Sequence, residues 1–256
     1  MGSRQDAARH LASCASLAAG AALWEILARG LHVGMVPPFS SVVAEAIAMA
    51  VDGRIVPALA ASLSSLAIGF TAAALLGMLL GFLMATSWTV EHMTGLYVDA
   101  IMSAPTLIYV PVLFAAFGVT RGAQIATVFI YAFFVIAVAT ASGIKAVDRR
   151  LVEMARAFGA TERQVLRTVL LPAAAPVVLA GLRLGTMRAV KGMVVGEMII
   201  ALSGLGALLK AYGAQFDMRG VLAVLLVIAL VSVASNLLVG AIGRAVLGRA
   251  RLAAGD

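Results

Sequence analysis

Six stretches of this sequence are apolar over about twenty residues or more, roughly 11–31, 59–85, 97–117, 122–144, 172–201 and 220–244. A helix rises about 1.5 Å per residue, so each can cross a hydrocarbon layer about 30 Å thick. A chain of 256 residues cannot hide six such segments inside one soluble core. Backbone polar groups in lipid must pair within their own segment, and these runs are too long and too uniform for barrel strands. The expected fold is all-α: a polytopic membrane helix bundle with six transmembrane helices. Charged residues, at 12%, are about half their usual share in soluble domains.

Six spans put both termini on one side, and basic residues choose the side. Arg4 and Arg9, then Lys145, Arg149, Arg150, Arg156, Arg163 and Arg167, then Arg244, Arg249 and Arg251 flank one face. Only Arg54, Arg121, Lys210 and Arg219 flank the other. Both termini and the 145–171 loop are expected in the cytoplasm. The same asymmetry accounts for the net charge of +7, so no nucleic-acid partner is read from it. Cys14 stands alone and offers neither an intrachain disulfide nor a cysteine metal site. Leu11-Ala12-Ser13-Cys14 resembles a lipoprotein box, but polar residues precede it. The apolar run that follows is too long for a signal h-region and reads as a retained first span.

Between the first two spans, Pro37-Pro38 opens an outer segment. Ser40 or Ser41 would cap a short helix there through Ala50, with Asp52-Gly53 as a turn. Gly77-x-x-x-Gly81, Gly181-x-x-x-Gly185 and Gly192-x-x-x-Gly196 invite close backbone approach. Pro105 and Pro111 are expected to distort the third span. Glu25 and Arg29 fit an i, i+4 ion pair. His10, His32 and His92 fall at separate membrane borders and suggest no metal site. Trp24, Trp88, Tyr97, Tyr109, Tyr131 and Tyr212 read mostly as interface anchors.

The 153–172 stretch is polar, long for a connection and helical in pattern. Gly159 divides it into two short helices. Thr161 and Gln164 have capping-box spacing, and Val165, Leu166 and Val169 form a stripe suited to docking. Glu153-x-Ala155-x-x-x-Gly159, nine residues, Val169, then Leu171-Pro172 resembles the cytoplasmic EAA loop of binding-protein-dependent ABC importer permeases. It departs from that pattern at Met154 and Val169, both of which keep apolar bulk. Asp148-Arg149, Pro176, Gly181-Leu182-Arg183, Gly196-Glu197-Met198 and Gly204-Leu205-Gly206 are similar to the nitrate, sulfonate and taurine permease branch, over about 57–244.

That resemblance implies a type I importer permease fold in a bacterial inner membrane. Residues 1–56 would form the first helix and outer segment, 57–244 the permease domain with coupling loop 146–172, and 245–256 a cytoplasmic tail. It implies a second permease copy in a homodimer and a pair of ATP-binding-cassette ATPases carrying ATP and Mg. An external solute-binding protein would deliver a small organic or inorganic anion. Glu153, Ala155, Gly159, Ala160, Thr161, Arg163, Leu166 and Pro172 are the positions it implies for ATPase coupling, the second short helix seated in the ATPase groove. The chain has no Gly-rich turn ending in Gly-Lys-Ser/Thr, so it is not expected to cradle ATP phosphates, and catalysis is expected on the partner; no catalytic, cofactor or metal residue is expected on this chain.

The fifth span carries Arg183, Arg188, Lys191 and Glu197, and charges inside a membrane are costly. At about 100° per residue, Arg183, Lys191 and Glu197 share a face about 120° wide, with Arg188 at its edge. Two readings stand: a translocation path lined by Arg183, Lys191 and Glu197 that favours anions, or a structural network. In the network, Glu197 pairs Lys191 or Arg188, or the cations snorkel to an interface. An ATPase-independent transporter would call for inverted repeats or broken midplane helices, and a membrane enzyme for a nucleophile constellation. Neither pattern is visible in the sequence.

Overall fold

Every regular element among the described residues is helical in the structure, a computed structural model that describes residues 2–30, 36–200 and 202–253. Side chains are described over 15–30, 36–200 and 202–245, so Arg4, Arg9, His10, Cys14, His32, Arg249 and Arg251 lie outside them. The elements are α1 (Gly2–Gly30), α2 (Phe39–Val51), α3 (Ile55–Thr86), α4 (Trp88–Ser103), α5 (Tyr109–Phe117) and α6 (Arg121–Lys145). They continue with α7 (Arg149–Ala157), α8 (Glu162–Gln164), α9 (Leu171–Ile200), α10 (Leu205–Ala214) and α11 (Met218–Ala253). Four of the helical rods, namely α3, α6, α8 running into α9, and α11, are long and apolar enough to cross a membrane. The expected first span falls on α1. Outward-facing leucines such as Leu75, Leu79, Leu230 and Leu237 are exposed along the long helices, as a lipid-facing surface requires.

The bundle is organised around α6, and the three glycine pairs explain how. Gly77 and Gly81 of α3 face Phe133, Ile136, Ala137 and Thr140 on one side of α6. Gly181, Gly185, Gly192 and Gly196 of α9 face Ala139, Ile136, Tyr131 and Thr127 on the other. Small residues on both neighbours bring backbones together where lipid supplies no hydrophobic drive. At Gly81 an added Cβ would lie 2.3 Å from the Ala137 carbonyl oxygen. Gly81→Ala should therefore destabilise by about 1–3 kcal/mol, since a helix backbone cannot step aside. Gly95, with nothing within 4 Å, is the control. Thermal unfolding of the two alanine variants in detergent should separate them, and equal midpoints would refute tight packing at Gly81.

The third expected span is not one helix. The α4 and α5 axes are bent by 96° at a break between Ser103 and Thr106, and α4 begins at Trp88, inside what the sequence reads as a loop. Pro105 causes the break. It has no N–H to give, and it pushes Ala104 out of helix to ψ 145°. A short 3₁₀ turn, Thr106–Ile108, then starts α5. Pro111 does not distort anything, because it sits in the first turn of α5, where no intrahelical donor is required.

The outer segment is capped from a distance. Neither Ser40 nor Ser41 caps α2: Pro38 holds the N-cap position and makes no side-chain bond. Instead the Ser40 backbone N–H donates to Glu25 Oε2 at 2.9 Å and its hydroxyl to Glu25 Oε1 at 2.8 Å. Arg29 completes the group with the expected ion pair to Glu25 at 2.6 Å. The Trp24 indole donates to the Pro37 carbonyl at 3.2 Å, so α1 grips the start of α2 at two points.

Candidate functional site

The loop after α6 is built as two linked helix ends. Asp148 caps α7 by accepting from the Arg150 N–H at 2.9 Å. At the other end Gly159 adopts φ +82°, a left-handed conformation that glycine takes at no cost. The Gly159 N–H donates to the Arg156 carbonyl at 2.9 Å and the Ala160 N–H to the Ala155 carbonyl at 3.1 Å. This is a Schellman stop, and it gives the Ala155, Gly159 and Ala160 spacing a physical origin. Thr161 restarts the helix with the capping box the sequence suggests: its N–H donates to Gln164 Oε1 at 2.8 Å, and its hydroxyl oxygen accepts from the Gln164 N–H.

Across the turn Arg156 forks onto Glu162, Nε to Oε1 and Nη2 to Oε2, both at 2.9 Å. Glu162 thereby pushes the Arg156 guanidinium up from its ordinary pKa. The second short helix is not separate from the fifth span. From Glu162 the helix runs 39 residues to Ile200, through a π-helical stretch at Val165–Leu170. The Leu171 N–H reaches the carbonyl of Leu166, five residues back, just where Pro172 removes a donor from the next turn.

The apolar residues of the second short helix are largely covered. Val165 is buried and Leu166 and Val169 are half-buried, so the second helix turns its apolar side inward. Exposed apolar side chains sit on α7 and at its C-cap: Leu151, Met154 and, at 86% exposure, Phe158. These lie at i, i+3 and i+7 on one face. Glu153 and Arg163 are exposed as well. Behind the stripe a cleft of about 600 Å³ is lined by Glu91, Lys145, Arg149, Glu153 and Arg156, with Lys145 paired to Glu91 at 2.5 Å. Phe158 is a bulky apolar residue in a polar loop, and that alone could have marked it in the sequence.

The charges of the fifth span do not meet one another. Glu197 is buried at 1% exposure and pairs with neither Lys191 nor Arg188. Its Oε2 accepts from the Ser62 hydroxyl at 2.8 Å and from the Gly206 N–H at 2.9 Å. Ser62 in turn accepts from the Leu205 N–H at 2.8 Å. A carboxylate and a serine thus cap the first turn of α10, where peptide dipoles favour negative charge. Gly204 and Gly206 make room: a Cβ on Gly204 would fall 2.2 Å from the Glu197 carboxyl carbon, and one on Gly206 2.5 Å from the Val194 carbonyl oxygen. Gly204 also holds φ +98°.

Arg183 lies against α11, where a Cβ on Gly240 would fall within 2.3 Å of its Nη2. Lys191 and Arg188 are both exposed. Arg188 instead lines a small cleft at the α4–α5 break with Thr106, Tyr109 and Tyr131. Tyr131 stands in the middle of α6 and the exposed Tyr97 in the middle of α4, whereas the exposed Trp88 is the first residue of α4. His92 rests on the Trp88 ring, centroids 4.0 Å apart.

A family profile described as "Binding-protein-dependent transport system inner membrane component" matches residues 73–248. The taurine transport system permease protein TauC of Escherichia coli (strain K12) is 32% identical over 174 residues. That match covers 68% of this chain and 63% of the relative, less than two thirds of its length. The formylaminopyrimidine transport permease protein ThiX of Halalkalibacterium halodurans is 30% identical over 212 residues, 82% of this chain and 84% of the relative. Among solved structures, a chain of the MetNI methionine ABC transporter in inward-facing conformations superposes with a TM-score of 0.60 at 21% identity. The superposition covers 73% of this chain and 93% of that chain, and it shows a common fold.

Proposed function

This chain belongs to the family of binding-protein-dependent transport system inner membrane components, and from that premise we propose that it is the membrane-spanning subunit of an ATP-driven importer. The observation that carries the mechanism is the α7 stripe of Leu151, Met154 and Phe158, apolar and exposed on an otherwise polar loop. An apolar surface of this kind on a rigid helix is what a groove in a partner takes up. The Schellman stop, the capping box and the Arg156–Glu162 fork fix its orientation relative to the helix that continues into α9. In this reading the partner is a cytoplasmic ATPase that holds ATP and Mg. Docking passes from the second short helix to α7, while Glu153, Ala155, Gly159, Ala160, Thr161, Arg163, Leu166 and Pro172 present it and connect it to the bundle.

The wider assignment follows the same premise: six spans with termini and loop in the cytoplasm, a permease domain over 57–244, and two copies with a pair of ATPases and an external binding protein. The solute is a small anion of the nitrate, sulfonate or taurine type, supported by the similarity to the taurine permease. The similarity to a formylaminopyrimidine permease favours a second reading, in which the solute is a heteroaromatic. A broken helix is present after all, so continuity of the spans no longer argues against an ATPase-independent transporter; family membership does.

Co-expression with the cognate ATPase tests the reading. Purified complexes should contain permease and ATPase chains in equal number, and transport should require ATP. Phe158→Asp sets a charge in the docking groove and should weaken co-purification about tenfold or more while the chain still inserts. Full transport by the chain without any ATPase would refute the proposal.

A further inference from the structure

Arg188 is an exposed guanidinium with no partner among the described residues, and it lies in the middle part of α9, between Leu171 and Ile200. Lys191, one turn further on and also exposed, adds a second cation to that strip. The carboxylate of the same helix, Glu197, is committed to Ser62 and Gly206 and cannot neutralise them. Other cations have found partners: Arg29 binds Glu25, Arg54 binds Asp52, and Arg121 binds the Ser64 hydroxyl. A charge at this depth must face water or a ligand, because lipid would exclude it.

The cleft beside Arg188 supplies further donors. The hydroxyls of Thr106 and Tyr131 have no hydrogen-bond partner among the described residues, while Tyr109 donates to the Ile101 carbonyl at 3.2 Å and is already engaged. Thr106 is there only because Pro105 breaks the helix, and backbone broken within a membrane is tolerated where it lines a cavity. Ile101, Met102, Phe134 and Val135 complete the walls. The cleft is small, with a cavity volume of about 60 Å³, room for a few water-sized groups. It fits the head of an oxyanion, with an apolar stem lying along the walls.

We propose that this niche, with Arg188, Thr106 and Tyr131 as donors, holds the anionic head of a solute part-way across the membrane. The inference rests on the permease reading and gives its anionic solute a site, one suited to a sulfonate, carboxylate or similar planar or pyramidal oxyanion. The guanidinium fork matches two oxygens of such a head at once, and the two hydroxyls reach others.

The test uses the full chain purified with its ATPase and an arginine-selective dicarbonyl reagent, with modification of Arg188 followed by mass spectrometry. Methanesulfonate serves as the bare anionic head and dimethyl sulfone as its neutral isostere, at equal ionic strength. Methanesulfonate should slow modification of Arg188 about tenfold, the worth of one charge-assisted contact, and dimethyl sulfone should not. The Thr106→Val, Tyr131→Phe double variant should lose most of that protection while retaining the ATPase. An Arg188 that never reacts, that reacts equally with and without methanesulfonate, or that both compounds protect alike would overturn the proposal. Co-purification of the ATPase is scored in the same preparation: protection without ATPase would sink the permease reading and leave the niche standing, and ATPase without protection would do the reverse.

Discussion

Glu197→Ala should leave little folded protein. The substitution removes the one acceptor shared by the Ser62 hydroxyl and the Gly206 N–H, both buried. Each stranded buried donor costs about 1–3 kcal/mol, so the pair costs roughly 2–6 kcal/mol before the vacated space is counted. That is a large part of a total stability of about 5–15 kcal/mol. Glu197→Gln separates hydrogen bonding from charge. Both bonds go to Oε2, so a glutamine carbonyl oxygen placed there serves both donors, and its NH2 takes the position of Oε1, which has no partner among the described residues. Size-exclusion profiles in detergent should show aggregation for the alanine variant and a wild-type peak for glutamine. Equal behaviour of Glu197→Ala and wild type would mean the α10 cap contributes nothing.

Gly159→Val should abolish transport while leaving the bundle intact. Nothing lies within 4 Å of a Cβ at Gly159, so the obstacle is conformational: a β-branched residue at φ +82° is strongly disfavoured. The left-handed step costs about 1–2 kcal/mol for an ordinary L-residue and more for valine. The chain escapes by unwinding the end of α7, which moves Phe158 and parts Arg156 from Glu162. ATP hydrolysis by the complex should then no longer respond to loaded binding protein, while surface expression stays near wild type. Gly159→Asn, which tolerates the left-handed region, should recover much of the loss. Normal coupling in the valine variant would reduce the loop to a tether.

The sequence was most legible where local rules act. Periodicity and length located the long helices, Thr161 and Gln164 announced their capping box, and the three glycine pairs found the contacts with α6. Contacts between distant residues stayed hidden for a physical reason: Ser62 and Glu197 are separated by 135 positions, and nothing in either neighbourhood names the other. Glu25 and Ser40 repeat the lesson, since a nearby serine looks like a cap until a remote carboxylate arrives. The break at Pro105 was half visible. Hydropathy is blind to it, because apolar residues continue on both sides, although proline and the restricted residue before it pointed to the place. Helical geometry put Arg183, Lys191 and Glu197 on one broad face, but that face is wide enough for Arg183 to lie against α11, Glu197 to cap α10 and Lys191 to stay exposed. The exposed α7 side chains were harder to read, because the loop's pattern lies in the spacing of Glu153, Ala155 and Gly159, and the bulky Met154 and Phe158 fall between those positions.

The 39-residue helix from Glu162 to Ile200 spans about 58 Å. Its far end is clamped to the bundle through Glu197, and its near end begins at the loop that carries Phe158. Over that length a tilt of about 5° displaces one end relative to the other by about 5 Å, close to the pitch of one helical turn. The π-helical stretch at Val165–Leu170 lies near the Glu162 end, where wider hydrogen-bonded rings bend more readily than the regular helix beyond Leu171. The stiffness of the regular part, packed along α6 through Gly181, Gly185, Gly192 and Gly196, therefore ties any ångström displacement of its loop end to a rotation of a few degrees along the whole helix.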